Sequence, residues 1–122
     1  MLWQLEDLPE FGRTLKQYEK KSAPEVAQLL ANLDAVHQAL NLGAKAEALH
    51  GGHVHREPVG IIAVDQRGGS AKGLELRLHA YPCAASSTLY LLRIGDKSSQ
   101  QRDINWCRDW VKRLRQETDH ES

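Results

Sequence analysis

The sequence contains few cysteines and no long apolar run, and each scarcity excludes a class of protein. Two cysteines, Cys83 and Cys107, among 122 residues exclude the disulfide framework of a small secreted domain. No apolar run approaches the roughly 20 residues that a membrane-crossing helix needs. The N-terminal residues lack the basic start and apolar stretch of a signal peptide. These features predict a single cytoplasmic domain with reduced thiols and no membrane contact.

An excess of one charge sign is also missing, because 16 basic and 16 acidic residues give a formal net charge of zero. The balance conceals an asymmetry: residues 67–115 contain ten Lys and Arg and only four Asp and Glu. A local positive field attracts anions whatever the global sum. The basic half is therefore either a surface for phosphate or an acidic partner, or a set of solvated charges.

Apolar residues at helical spacing predict two helices near the N-terminus. The first runs from about Pro9 to Lys20. A capping box, Ser22-Ala-Pro-Glu25, opens the second, which ends at Gly43. These two helices form a predicted helical hairpin.

Strand signals follow at residues 59–65, 72–81 and 88–94, with a weaker one at residues 2–6, and a last helix begins near Ser98. Short connections between successive strands favour an antiparallel meander. We therefore predict an α+β domain over residues 1–117, followed by a disordered tail at residues 118–122. Its helical hairpin would pack on a small antiparallel sheet of three or four strands, with a C-terminal helix, and the helices would cover one face of that sheet.

The strand at residues 72–81 alternates completely, and its polar face carries Arg77, His79 and Tyr81. Arginine binds phosphate bidentately, histidine titrates near neutral pH, and tyrosine stacks on bases or passes a proton. Lys97, at the end of the next strand, would add positive charge. Such a face can promote attack of an RNA 2′-hydroxyl on the adjacent phosphate without a metal. The alternative is an exposed strand with ordinary β-formers.

Three histidines, His50, His53 and His55, lie in a glycine-containing segment that shows no clear periodicity. Their spacing matches no metalloenzyme motif, so we interpret them as loop histidines and predict no metal or cofactor. The role of this segment stays open.

Three segments resemble the RelE/ParE superfamily of bacterial toxins, the toxin halves of type II toxin–antitoxin pairs. They are Gly60-Ile-Ile-Ala-Val-Asp-Gln-Arg67, Leu74-Glu-Leu-Arg-Leu-His-Ala-Tyr81 and the stretch from Leu91 to Ile104. With the preceding helices, the resemblance covers roughly residues 1–115. It implies a small α+β fold, a cognate antitoxin and, in the RelE branch, cleavage of mRNA on the ribosome.

By position, Arg77 matches the family's central-strand arginine and Lys97 matches the basic residue that ends the last strand. Lys72 and Tyr81 are looser matches, and His79 is added from the strand face. The predicted catalytic residues are therefore Arg77, His79, Tyr81 and Lys97, and the predicted RNA-binding residues are Arg67, Lys72 and Arg93.

Two other functions stay open. The first is a ParE-like inhibitor that acts on a protein such as gyrase without chemistry, and the second is a catalytically silent binding module. A translation block would indicate the RelE-like toxin, DNA damage the ParE-like inhibitor, and no growth effect the silent module. A homodimer is compatible with each.

Overall fold

The computed structural model describes residues 2–49, 51–66 and 74–121, with side chains up to residue 117. The described elements are β1 (Gln4–Asp7), α1 (Pro9–Asn41), β2 (Val54–Arg56), β3 (Ile62–Asp65), β4 (Leu76–Cys83), β5 (Thr88–Asp96) and α2 (Gln100–Glu121). The strands form one sheet in the order β1-β5-β4-β3-β2. Strand β1 is parallel to β5, and the other neighbours are antiparallel. The α+β class is confirmed, but the sheet has five strands and is mixed. The predicted domain boundary after residue 117 stays a prediction.

Helix α1 replaces the predicted hairpin with one bent helix of 33 residues. Only Ser22 has non-helical angles (φ −152°, ψ 57°), and Pro24 follows within the same helix. A proline inside a helix removes one backbone hydrogen bond and kinks the axis. The predicted helical hairpin is therefore not matched exactly. Its two helices are one continuous helix with a kink at Ser22, and the end of that helix returns to the start of the sheet, where Asn41 Oδ1 accepts a hydrogen bond from the Trp3 backbone N–H.

The two helices cover opposite faces of the sheet. Helix α1 packs on the face that carries Leu76, Leu78 and Ile94 and forms the larger core with them. Helix α2 contributes Cys107 and Val111 to a smaller apolar cluster on the other face. Strand β5 is apolar on both faces, and a strand of that kind must be covered on both. The prediction of helices on one face only is therefore wrong.

Gly12 provides a test of the helix assignment. It lies inside α1, and a Cβ atom added there would meet nothing within 4 Å. Since glycine is the poorer helix former, Gly12→Ala is expected to stabilise the protein by about 0.5–1 kcal/mol. Urea unfolding measures the difference. Gly43→Ala is the matched control and should destabilise, because Gly43 has a φ of +105°. A lower unfolding midpoint for Gly12→Ala would contradict the assignment.

Candidate functional site

A pocket of about 350 Å³ lies at the end of the sheet where α2 begins. Strands β2, β3 and β4, the end of β5 and the start of α2 all contribute to its walls. The lining residues are His55, Asp65, Gln66, Glu75, Leu76, Arg77, Asp96, Lys97 and Gln100. Charged and polar side chains predominate in this set, so the pocket suits a small polar or ionic group.

Asp65 is the centre of the charged cluster. Its Oδ2 lies 2.5 Å from His55 Nε2, and its Oδ1 accepts a hydrogen bond from Arg77 Nε at 2.7 Å. The register of β3 against β4 places Asp65 directly opposite Arg77. Asn32 donates to the backbone carbonyl of Asp65 at 2.8 Å, which fixes the end of β3 against α1. The carboxylate is therefore held in position and orients both the imidazole and the guanidinium.

The second wall of the pocket is formed where β5 passes into α2. Asp96 Oδ1 accepts hydrogen bonds from the Ser98 and Ser99 backbone N–H groups, which caps the short 3₁₀ turn before α2. Its Oδ2 accepts from the Tyr18 hydroxyl at 3.0 Å. Burial opposes the charged form, but hydrogen bonds from Ser98, Tyr18 and the backbone outweigh it and lower the pKa of Asp96. The turn is thus fixed, and Lys97 follows directly on the pocket rim.

Tyr18 predicts a loss of stability in alkali. Burial, with the hydrogen bond to the Asp96 carboxylate, raises the pKa of Tyr18 to about 12. Its contribution is therefore complete below the unfolded-state pKa of about 10 and is lost as the pH rises to about 12. The stability difference between wild type and Tyr18→Phe should accordingly shrink by about 1–2 kcal/mol between pH 9 and 12. Urea unfolding at each pH measures it, and a constant difference would contradict the assignment.

The pocket brings together two of the predicted catalytic residues, Arg77 and Lys97. Their proximity follows from the pairing of β4 with β5, which places Arg77 opposite Gly95, two residues before Lys97. Strand pairing thus brings together two charged side chains that are 20 residues apart in the sequence.

His79 lies elsewhere, in the interior. It is completely buried, and its Nδ1 lies 2.7 Å from Glu57 Oε1. The expectation that this strand face is open around His79 is wrong, because α2 packs on it. In this structure, His79 joins β4 to the segment before β3.

Tyr81 is four residues further along β4, roughly 13 Å from Arg77 at the usual rise per residue. Its ring stacks on Tyr90, with the ring centroids 6.4 Å apart, and the Arg115 guanidinium lies 5.7 Å from its centroid. Arg115 also donates to the Val59 carbonyl at 2.8 Å. Tyr81 therefore belongs to an aromatic cluster between α2 and the sheet, outside the pocket.

Arg93, predicted to bind RNA, is largely buried in contacts within the protein. Its Nε lies 3.1 Å from Asp103 Oδ1, its Nη1 lies 3.7 Å from Glu10 Oε2, and its guanidinium lies 5.6 Å from the Trp106 ring centroid. These contacts tie α1, β5 and α2 together. The other predicted RNA-binding residues, Arg67 and Lys72, lie outside the described residues.

Two members of the charged cluster in the pocket, His55 and Asp65, were missing from the predicted site. His55 belongs to β2, a strand of three residues that is too short to give a clear alternation signal. Asp65 is the last residue of β3, and its partners come from other strands. The sequence does show an acidic residue, Asp65, at the end of one predicted strand and an arginine, Arg77, on the next. It does not show that the two are paired, because the register of the strands depends on the fold.

Within residues 2–49, 51–66 and 74–121, no group of three or more His, Cys, Asp or Glu side chains is arranged to hold a metal ion. Neither described helix combines the length and apolar character needed to cross a membrane. Comparisons with protein-family models, curated proteins and solved structures find no match to this chain.

Proposed function

We propose that the protein is a RelE-like toxin of a type II toxin–antitoxin pair, and that it cleaves mRNA in the pocket at the start of α2. The observation that carries this proposal is the convergence of His55, Asp65, Arg77 and Lys97 on that pocket. Together they supply an imidazole, a carboxylate that orients it and two cations. The resemblance to the RelE/ParE superfamily supplies the substrate class and the antitoxin partner.

The proposed reaction is an internal transfer of the RNA phosphate. The His55 imidazole accepts the proton of a 2′-hydroxyl, whose oxygen attacks the adjacent phosphorus. Arg77 stabilises the additional negative charge of the phosphorane. The P–O5′ bond then breaks, and Lys97 donates a proton to the departing 5′-oxygen. The products are a 2′,3′-cyclic phosphate and a 5′-hydroxyl, and each proton and electron pair is assigned without a further reactant.

Three carboxylates of the described residues line the pocket: those of Asp65 and Asp96 are engaged within the protein, and that of Glu75 is exposed to solvent. Asp65 is paired with His55 and Arg77, and Asp96 accepts from Tyr18, Ser98 and Ser99. Asp65 has the same role as the carboxylate of other histidine-dependent sites, in which it fixes the tautomer and stabilises the imidazolium. A phosphodiester in the pocket would therefore contact two cations, Arg77 and Lys97, beside the positioned imidazole of His55.

A second candidate is a binding module without chemistry, either an inhibitor of a protein target or a catalytically silent member of the superfamily. One observation favours it: α2 covers much of the sheet face on which the predicted residues lie, and Arg93, Tyr81 and His79 all make internal contacts. Such a protein would act through its outer surface, and the pocket would have a structural role.

Induced expression in a strain that lacks a cognate antitoxin separates these functions. Cleavage of mRNA predicts that protein synthesis stops and that transcripts break within codons. A ParE-like inhibitor predicts DNA damage while translation continues. Soluble expression with no effect on growth would overturn both toxin functions and leave the silent module.

A further inference from the structure

Two adjoining depressions run along the first turns of α1, on the side of the protein where α2 approaches them. One, of about 400 Å³, lies between Leu8 and the α2 residues Trp106 and Trp110. The other follows the exposed side of α1 and is lined mainly by basic residues. They share Pro9 and Arg13, so they form one continuous groove, which we call the Trp–Lys groove. None of its residues lines the candidate catalytic pocket.

The apolar end of the groove is held in a fixed shape. Trp110 packs on Tyr90 with the ring centroids 5.1 Å apart, and the Arg93 guanidinium lies 5.6 Å from the Trp106 ring centroid. Both indoles are partly exposed, and they lie one helical turn apart on α2. Tryptophans that are already fixed and partly exposed lose little conformational entropy on binding. Tryptophan is also a frequent hot-spot residue, one that contributes much of the binding energy of a protein interface.

The other end of the groove is strongly basic. Arg13, Lys16, Lys20 and Lys21 all line it and are all exposed. They span nine residues of α1, or about 12 Å along its axis. The acidic residue at the junction, Glu10, is already paired with Arg13 and Arg93. The basic end therefore presents a row of cations at helical spacing.

Gly12 lies between the apolar and basic ends. A Cβ atom there would meet nothing within 4 Å, so packing within the chain does not require glycine at this position. Glycine is unfavourable inside a helix compared with alanine. A glycine in an open groove permits another backbone to approach closely, as small residues do where two helices pack.

We propose that the Trp–Lys groove binds an acidic amphipathic helix of a partner protein. Its bulky apolar side chains would contact Trp106 and Trp110, its backbone would cross α1 at Gly12, and its carboxylates would pair with Lys16 and Lys20. Charge complementarity and the common helical spacing specify this occupant. A second copy of the chain is disfavoured, because a twofold contact through this surface would oppose basic residues to basic residues.

Synthetic helices test the proposal with the intact protein. Three labelled peptides of equal length would share two leucines for the tryptophans and differ only in the residues facing α1, which would be glutamate, glutamine or lysine. Fluorescence anisotropy would measure their binding. We expect the glutamate peptide to bind at least about tenfold more tightly than the glutamine peptide, and the lysine peptide to bind most weakly. Equal binding of all three, or no binding of the glutamate peptide, would overturn the proposal.

Variants locate the contact. The double change Lys16→Glu and Lys20→Glu, and separately Trp110→Ala, should each weaken binding of the glutamate peptide at least about tenfold. Gly12→Gln should also weaken binding of the glutamate peptide, because the added side chain keeps the peptide backbone away from α1. The unfolding midpoint of Gly12→Gln should not fall, so the weaker binding would not be due to a loss of folding. The change Lys112→Glu, on the exposed side of α2, is the matched control and should leave binding unchanged.

Unchanged binding by the groove variants would overturn the location. Tighter binding of a short single-stranded RNA than of the glutamate peptide, or dimerisation abolished by Lys16→Glu and Lys20→Glu, would replace the helix by RNA or by a second copy. Because the groove and the pocket share no residue, the peptide results do not depend on whether the pocket cleaves RNA.

Discussion

Replacement of Arg77 by alanine is expected to abolish the translation block and to slow RNA cleavage at least about 100-fold. The guanidinium is held in position by the Asp65 carboxylate, since Arg77 Nε donates to it at 2.7 Å. In the proposed reaction it stabilises the charge that develops on phosphorus, and alanine provides no substitute. Arg77→Lys should restore only a small part of the activity, because an ammonium lacks the planar, bidentate geometry of a guanidinium. Translation in cells and cleavage of a defined transcript measure the effect.

Arg102→Ala is the matched control for Arg77→Ala. Arg102 is an exposed arginine on α2 that does not line the pocket, so its loss removes the same charge without touching the site. It should leave cleavage unchanged. Equal activity of Arg77→Ala and Arg102→Ala, with both variants folded, would contradict the assignment of the pocket as the cleavage site.

Gly95→Ala is expected to destabilise the protein by about 3 kcal/mol. A Cβ atom at this position would overlap the Asp103 carboxylate and lie 2.6 Å from Ser99 Oγ. Asp103 is buried, pairs with Arg93 and accepts a hydrogen bond from Ser99 at 2.6 Å. The methyl group would therefore displace the carboxylate that joins the start of α2 to β5. Urea unfolding should show a much lower midpoint.

Gly12→Ala adds the same methyl group in open space and is therefore the control for Gly95→Ala. The two substitutions should change the free energy of unfolding in opposite directions. A Gly95→Ala midpoint equal to that of the wild type would show that Asp103 is not held against the strand backbone.

Parts of the fold follow from local pattern, and parts depend on long-range contacts. The apolar spacing along the two halves of α1 and the alternation along β4 are local signals, so these segments were predictable, although the two helical segments are joined into one helix. The bend at Ser22 resembles a helix start in sequence, because Ser22-Ala-Pro-Glu25 has the capping-box pattern. Whether the chain reverses there is decided by packing of the whole helix on the sheet, which local pattern does not contain.

The position of α2 had the largest consequence for the predicted site. The sequence predicts a last helix and a strand at residues 88–94, but local pattern does not show that the helix packs on that strand. Because α2 packs on this face of the sheet, His79 is buried, and the pocket lies at the end of the sheet where α2 begins. Arg77 and Lys97 were predictable because they lie on neighbouring strands, whereas His55 and Asp65 needed the register of β2, β3 and β4.

End-group analysis of RNA tests the central claim most directly. Purified protein would be added to a translating ribosome mixture with a defined transcript and a chelator of divalent metals, beside the Arg77→Ala variant. The proposed function predicts new 2′,3′-cyclic phosphate and 5′-hydroxyl ends with the wild type and none with Arg77→Ala. Intact transcript with both proteins, or 3′-hydroxyl and 5′-phosphate ends, would contradict the proposed reaction.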